Sequence, residues 1–363
     1  MGCTKRTLRY GAGRQCTNKR GVKMSEYKLT PRENLIEVMK GGKPERFVKQ
    51  YEAFNIPFRN LASYRWRNNP RPGEINKVNN WGVTVSWADG QPGAFPVHTP
   101  DKIVCKDIEE WQDYVTAPDP YTIPEAEWEK DQEVWEQIDR KEQFAMAFVA
   151  PGVFEQCHYL CEIQNVLIAF YECPDELKEL IKYVTEWELK LAEVICDHLH
   201  PDGLFHHDDW GTQINTFTDP DMFAEFFLDP YKEIYGYYKS RGVELIAHHS
   251  DSYAETLVPY MIEMGIDVWQ GVMNTNDIPG MIEKYGKDIT FMGGIDSASV
   301  DYEGWTREEI AKQVKRTCDE NGPLYFIPSL SQGLPISTFP GVYDTTQEEI
   351  EKYSKIYWAE HNL

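Results

Sequence analysis

The sequence predicts one (β/α)8 barrel of the TIM type, preceded by an irregular N-terminal segment. Three observations predict it. From about residue 143, short apolar runs alternate with helical segments, the pattern of parallel strands joined by crossover helices. The alternation repeats often enough to favour a closed barrel over a doubly wound sheet, and no Gly-x-Gly-x-x-Gly loop follows a strand. The 363 residues also suit a single large barrel of roughly 250–350 residues.

The elements follow in order. Thr30 is placed to cap a helix, with Pro31 at the first helical position and Glu33 three residues after the cap. That helix runs through Asn34–Met39 and stops at Gly41-Gly42. Residues 55–125 are rich in Pro, Gly, Trp and Asn and read as irregular structure with short strands such as Trp81–Trp87. Candidate strands then fall at Phe144–Ala150, Gly203–His207, Glu244–His248, Asp267–Gln270, Ile289–Gly293 and Leu324–Pro328. Helical segments lie at 174–199, 221–240, 253–264, 277–286 and 306–320, with a last helix at 346–360.

The domain reading is a basic arm or misplaced start over 1–23 and one barrel over 24–363. The first 23 residues hold seven Lys and Arg and no acid. The whole chain carries -22; taking those seven from the 37 basic residues leaves the rest at -29. So acidic a surface repels phosphate backbones, which argues against nucleic acid as a partner. Eight Cys form no regular ladder, no secretory signal precedes them, and the apolar runs fall short of the ~20 residues that cross a membrane. The expected setting is a reducing cytoplasm with no membrane contact. Oligomeric state is not legible.

Barrel enzymes carry their chemistry at strand C-termini, and the polar residues here cluster there. The run His206–Asp209 puts two imidazoles and two carboxylates in a row. Neighbours in an extended segment face opposite sides, so only about half can share a site. His207, Asp208 and Asp209 are the catalytic candidates. His249 and Asp251, two apart at the next strand end, project to one side and suit a metal that prefers oxygen and nitrogen ligands. Glu155 is a further carboxylate ligand candidate. Trp210, Gln213, Asp296 and Gln332 stand in strand-end loops as substrate-binding candidates. Cys157, His158 and Cys161 form a second cluster, readable as zinc ligands or as plain core.

At these residues the chain resembles the uroporphyrinogen decarboxylase and corrinoid-methyltransferase superfamily, from roughly Thr30 to Lys355. The resemblance is carried by Pro31-Arg32-Glu33-Asn34, Gly152-Val153-Phe154, Asp202-Gly203, Asp208-Asp209-Trp210-Gly211-Thr212-Gln213, His249-Ser250-Asp251, Gly293-Gly294-Ile295-Asp296 and Gly333. It implies a barrel with a deep mouth that either decarboxylates porphyrinogens without a cofactor or moves methyl groups to and from corrinoids using zinc.

Departures from the family pattern choose between these branches. The Arg-rich stretch by which decarboxylases grip substrate carboxylates is replaced near Lys49–Phe54 by an acid and aromatics, and the His expected before the late Gly is Gln332. Tyr159 falls at the decarboxylases' active-site tyrosine. The methyltransferases' His-x-Cys reads His249-Ser250-Asp251 here, and their later Cys is Ser329 or Ser331. The resemblance therefore implies zinc held without thiolates, by His249 and Asp251 with Glu155. The expected activity is transfer of a methyl group from a small methylated or methoxylated compound to a corrinoid carried by a partner protein. A metal-free decarboxylase using Tyr159 and Asp208, and a non-catalytic tetrapyrrole-binding barrel, are the alternatives.

Overall fold

A computed structural model describes residues 27–57, 61–332 and 335–363. The basic arm and Gly333 lie outside the described residues.

The opening helix forms over Pro31–Met39 as its caps dictate. The Thr30 hydroxyl accepts from the Glu33 amide, and the Glu33 carboxylate accepts from the Thr30 amide. The helix ends where Gly41 takes a φ of +67°.

Ten strands are described. They are β1 (Phe54–Asn55), β2 (Lys77–Val78), β3 (Thr84–Ser86), β4 (Phe95–Pro96), β5 (Phe144–Val149), β6 (Gly203–His207), β7 (Leu245–His249), β8 (Val268–Val272), β9 (Thr290–Ile295) and β10 (Phe326–Leu330). One sheet has the order β1-β5-β6-β7-β8-β9-β10, and every pair is parallel. Spatial order follows chain order throughout. A doubly wound sheet would reverse at a switch point, so the fold is an α/β barrel of the TIM type. Seven strands pair in this sheet among the described residues. β1 is too short to show any periodicity, which is why the sequence did not reveal it. All six predicted strands are present within a residue or two. They are buried nearly throughout, as parallel strands sandwiched between helices and barrel interior must be.

The strands β2, β3 and β4 make a separate antiparallel sheet inside the N-terminal segment. Of the expected strand at 81–87 only Thr84–Ser86 pairs; Trp81 and Trp87 flank it, buried. The longest helix, Pro174–Leu199, has the predicted bounds and buries one stripe through Leu177, Ile181, Val184, Leu191 and Ile195. The predicted helix at 221–240 is broken by a π-helical turn at Ala224–Leu228, because Pro230 has no amide to offer Phe226. The last helix, Val342–His361, returns to the start of the barrel, where Phe47 meets the rings of Tyr357 and Trp358 edge-on at 5.0 and 5.2 Å. Among the described residues no helix is long and apolar enough to cross a membrane.

Candidate active site

Strand register decides which residues of the His206–Asp209 run face the barrel interior. β6 and β7 pair His206 with His248 and His207 with His249, and β7 and β8 pair His249 with Gln270. Side chains alternate along a strand, so the four histidines divide into two rows. His206 and His248 point outward into the helix layer, where the Tyr235 hydroxyl bridges their Nδ1 atoms at 2.8 Å each. His207 and His249 point inward, their rings 4.4 Å apart and 26° from parallel.

The inward pair opens onto a cavity of about 390 Å³ at the C-terminal ends of the strands. Glu155, His207, Asp209, His249 and Asp251 form its polar floor. Tyr51, Tyr64, Phe148 and Phe205 form one wall. Val85 and Phe95 of the small sheet, with the adjoining Trp87, roof it. Tyr51, Tyr64, Trp87 and Phe95 of this lining come from the N-terminal segment.

Both inward histidines are held from behind. The Glu155 carboxylate bonds His207 Nδ1 at 2.9 Å, and Gln270 Oε1 bonds His249 Nδ1. Each ring keeps its Nε2 for the cavity. His249 Nε2 lies 3.9 Å from Asp209 Oδ1. One ligand atom each from His207, Asp209 and His249 falls within 4.8 Å of the others, and no second such group occurs among the described residues. Two imidazoles and one carboxylate, with further acceptors fixing the rings, are a donor set that fits a divalent transition ion such as zinc.

The ligand set expected from sequence was His249, Asp251 and Glu155. His249 stands. Glu155 instead orients His207, and Asp251 lines the cavity beyond the trio while its amide donates to Asp209 Oδ1 at 3.1 Å. Cross-strand register put His207 beside His249, and the loop that follows β6 turns Asp209 onto the same side.

The ionisation states follow from the crowding. Burial works against a charged His207, but Glu155, then Asp209 and Asp251, overcome it and lift its pKa to about 10. Burial pushes His249 down to about 4, aided by the neighbouring His207. Burial raises Glu155 against the pull of His207. Burial, then Asp209, raises Asp251 well above the carboxylate range.

Other expected site residues divide. Tyr159 and Gln332 line the cavity. Burial, then Glu155, drives the Tyr159 phenol well upward. Asp208 is fully buried and turned away. It accepts from the Phe154 and Glu155 amides at 3.0 and 2.7 Å, from the Trp210 indole at 3.3 Å and from the Tyr231 hydroxyl. It caps the helix Val153–Cys161 and has no oxygen free for substrate, which corrects its assignment as a catalytic group. Gly152 lets that carboxylate in: a Cβ there would lie 2.7 Å from Asp208 Cβ. Trp210 is likewise interior, stacked on His248 at 3.9 Å. Gln213 is exposed on the loop after β6, and Asp296 caps the short helix Ser297–Val300. Neither lines the cavity. These four corrections share one cause: a strand-end loop turns its side chains individually, and the sequence carries no period to say where. Cys157 and Cys161 are buried in the core and do not converge with His158 into a metal group.

Gln270, Phe148 and Phe205 were not singled out from sequence. For Gln270 a signal existed, since a buried amide at the end of a predicted strand needs a partner.

A family model described as Uroporphyrinogen decarboxylase (URO-D) matches residues 125–353, more than half of the chain. A methyltransferase from Methanosarcina mazei is similar in structure, with a TM-score of 0.62 at 12% identity over 90% of this chain and 99% of that one. A fructose-1,6-biphosphate-aldolase-type protein from Coccidioides immitis aligns at a TM-score of 0.27 and 11% identity, over 58% of this chain and 79% of that one. No curated protein matches in sequence. The likeness to the methyltransferase establishes the fold; the family match establishes the kinship, and the chain belongs to the uroporphyrinogen decarboxylase (URO-D) family.

Proposed function

We propose that the protein transfers a methyl group from a small methylated compound to a corrinoid carried by a partner protein, assisted by a divalent metal, with zinc the leading candidate. The observation that carries the reading is the pair His207 and His249, each with Nδ1 engaged and Nε2 left to the cavity beside Asp209. His207, Asp209 and His249 would hold the metal, which would supply Lewis acidity at the donor's polar end. Glu155 and Gln270 fix the two rings, so the ligands need little rearrangement. The aromatic wall and the roof of Trp87 and Phe95 exclude water from the reacting methyl carbon. The cavity opens at the strand ends, the side from which an acceptor cobalt can approach.

The cavity's chemistry speaks against the decarboxylase alternative. Three carboxylates line it and no Lys or Arg does among the described residues, so a carboxylated substrate finds no ammonium or guanidinium group to hold it. Asp208, the acid–base group that reading needs, lies outside the cavity.

The test is metal content and methyl transfer in purified protein beside His249→Ala. About one metal per chain, lost in the variant, with methyl transfer to cob(I)alamin from at least one methylated compound, is the expected result. Folded protein that holds no metal and methylates no cob(I)alamin would sink the proposal.

A further inference from the structure

Residues 97–105 form a strap that leaves the small sheet at β4, the strand whose Phe95 roofs the cavity. Three consecutive residues at the end of the helix Val153–Cys161 hold this strap. His98 Nε2 donates to the Tyr159 carbonyl at 3.1 Å. The Cys105 amide donates to the Leu160 carbonyl at 2.9 Å. The third contact is sulfur to sulfur, with the Cys161 thiol donating to Cys105 Sγ. The first two contacts open and close as hydrogen bonds do. The third joins two groups that an oxidation makes covalent. The amide bond to Leu160 already sets the Cys105 backbone beside the last helical turn, so bridging the sulfurs asks little of the backbone.

We propose that Cys105 and Cys161 are a redox latch: a small-molecule disulfide oxidises the pair to a disulfide bond that fastens the roof's strap to the helix carrying Glu155 and Tyr159. The latch acts whatever the cavity turns over.

The two sulfurs have different parts. Cys161 is the donor in their contact, and that hydrogen bond pulls the Cys105 thiol below the usual range against its burial. The same bond, then burial, holds the Cys161 thiol well above that range. The thiolate is the attacking form, so Cys105 attacks first. It lies buried one residue beneath the exposed Lys106 and Asp107, in a turn where its Sγ donates to the Asp107 carbonyl at 3.3 Å. A local opening of that turn brings the sulfur to solvent. Cys157, four residues before Cys161 on the same helix, is buried and its thiol is pushed well up, first by that burial, which leaves it inert.

The step balances. The Cys105 thiolate attacks one sulfur of the small disulfide and expels a thiolate, which takes a proton. Cys161 then gives its proton to water and attacks the Cys105 sulfur. The second small thiolate leaves and is protonated in turn. Two protein thiols give up two electrons and two protons, and one small disulfide becomes two thiols.

The experiment treats the full-length protein with glutathione disulfide, alkylates remaining thiols under denaturing conditions and maps an unreduced digest by mass spectrometry, with fragmentation to tell Cys161 from Cys157. A Cys105–Cys161 bond should form, and dithiothreitol should undo it. The oxidised protein should melt about 3–5 °C higher. Amides of residues 97–105 should exchange hydrogen at least about tenfold more slowly after oxidation. Cys105→Ala and Cys161→Ala should each abolish the bond and the slowing, and Cys173→Ala should leave both. If a buried substitution unfolds the protein, the wild-type map, its reversal and the exchange rates carry the test alone. Folded protein that keeps both thiols reduced, or that joins either of them to a different cysteine, overturns the proposal. So does a Cys105–Cys161 bond that leaves exchange over 97–105 unchanged, because the strap would then gain nothing from it.

Discussion

Asp208 Oδ1 accepts the main-chain amide of Glu155 at 2.7 Å. One short contact thereby ties the end of β6 to the helix that carries both Glu155 and Tyr159. Because Glu155 in turn holds His207, a residue adjacent in sequence on β6, Asp208 positions the site it does not enter. Asp208→Ala would strand the buried amides of Phe154 and Glu155. The expected cost is about 2–4 kcal/mol in urea unfolding, with metal affinity also reduced.

Tyr235 offers a contrast on the other face of the same strands. Its hydroxyl satisfies both His206 and His248 deep in the helix layer. Tyr235→Phe removes that bridge without changing shape. It should lower stability by about 1–3 kcal/mol while metal content stays at the wild-type value. Loss of metal in this variant would mean that the outward histidines serve the site.

Gln270 tests the support behind His249. Gln270→Leu removes the acceptor that fixes the ring, and metal affinity should fall by about 10–100-fold, read by chelator competition. An unchanged affinity would show that burial alone orients the ring.

The pH dependence of metal uptake has a definite sign. Glu155, with Asp209 and Asp251, holds His207 protonated up to about 10 against the opposing effect of burial. A ligand must be neutral, so binding displaces this proton at every pH below that value. Affinity should therefore rise about tenfold per pH unit through the neutral and mildly alkaline range, and uptake should release a proton measurable in weak buffer. Glu155→Gln removes the main partner charge. The slope should flatten at neutral pH, because His207 is then already largely neutral. A flat profile in the wild type would show that His207 is not a ligand.

The barrel was legible in the sequence because strands buried on both faces must be apolar runs, and helices over them must carry a 3.6-residue stripe. Those periods persist over many residues, so the six predicted strands and the 174–199 helix fall where they were expected. The clustering of polar residues at the ends of β6 and β7, several of which line the cavity, was legible too, since polar residues are otherwise absent from those runs. What the sequence could not decide was which of several adjacent polar residues turn inward. His206 and His207 are chemically alike, as are Asp208 and Asp209. Only pairing across β6, β7 and β8 sets His207 against His249 and Gln270, and sends His206 toward Tyr235. Only the approach of Gly152 draws Asp208 beneath a helix N-terminus and leaves Asp209 to the cavity. Periodicity is a local property of the chain and survives in the sequence. Register and loop direction arise from contacts between residues 40 to 60 positions apart, and the folded structure alone fixes them.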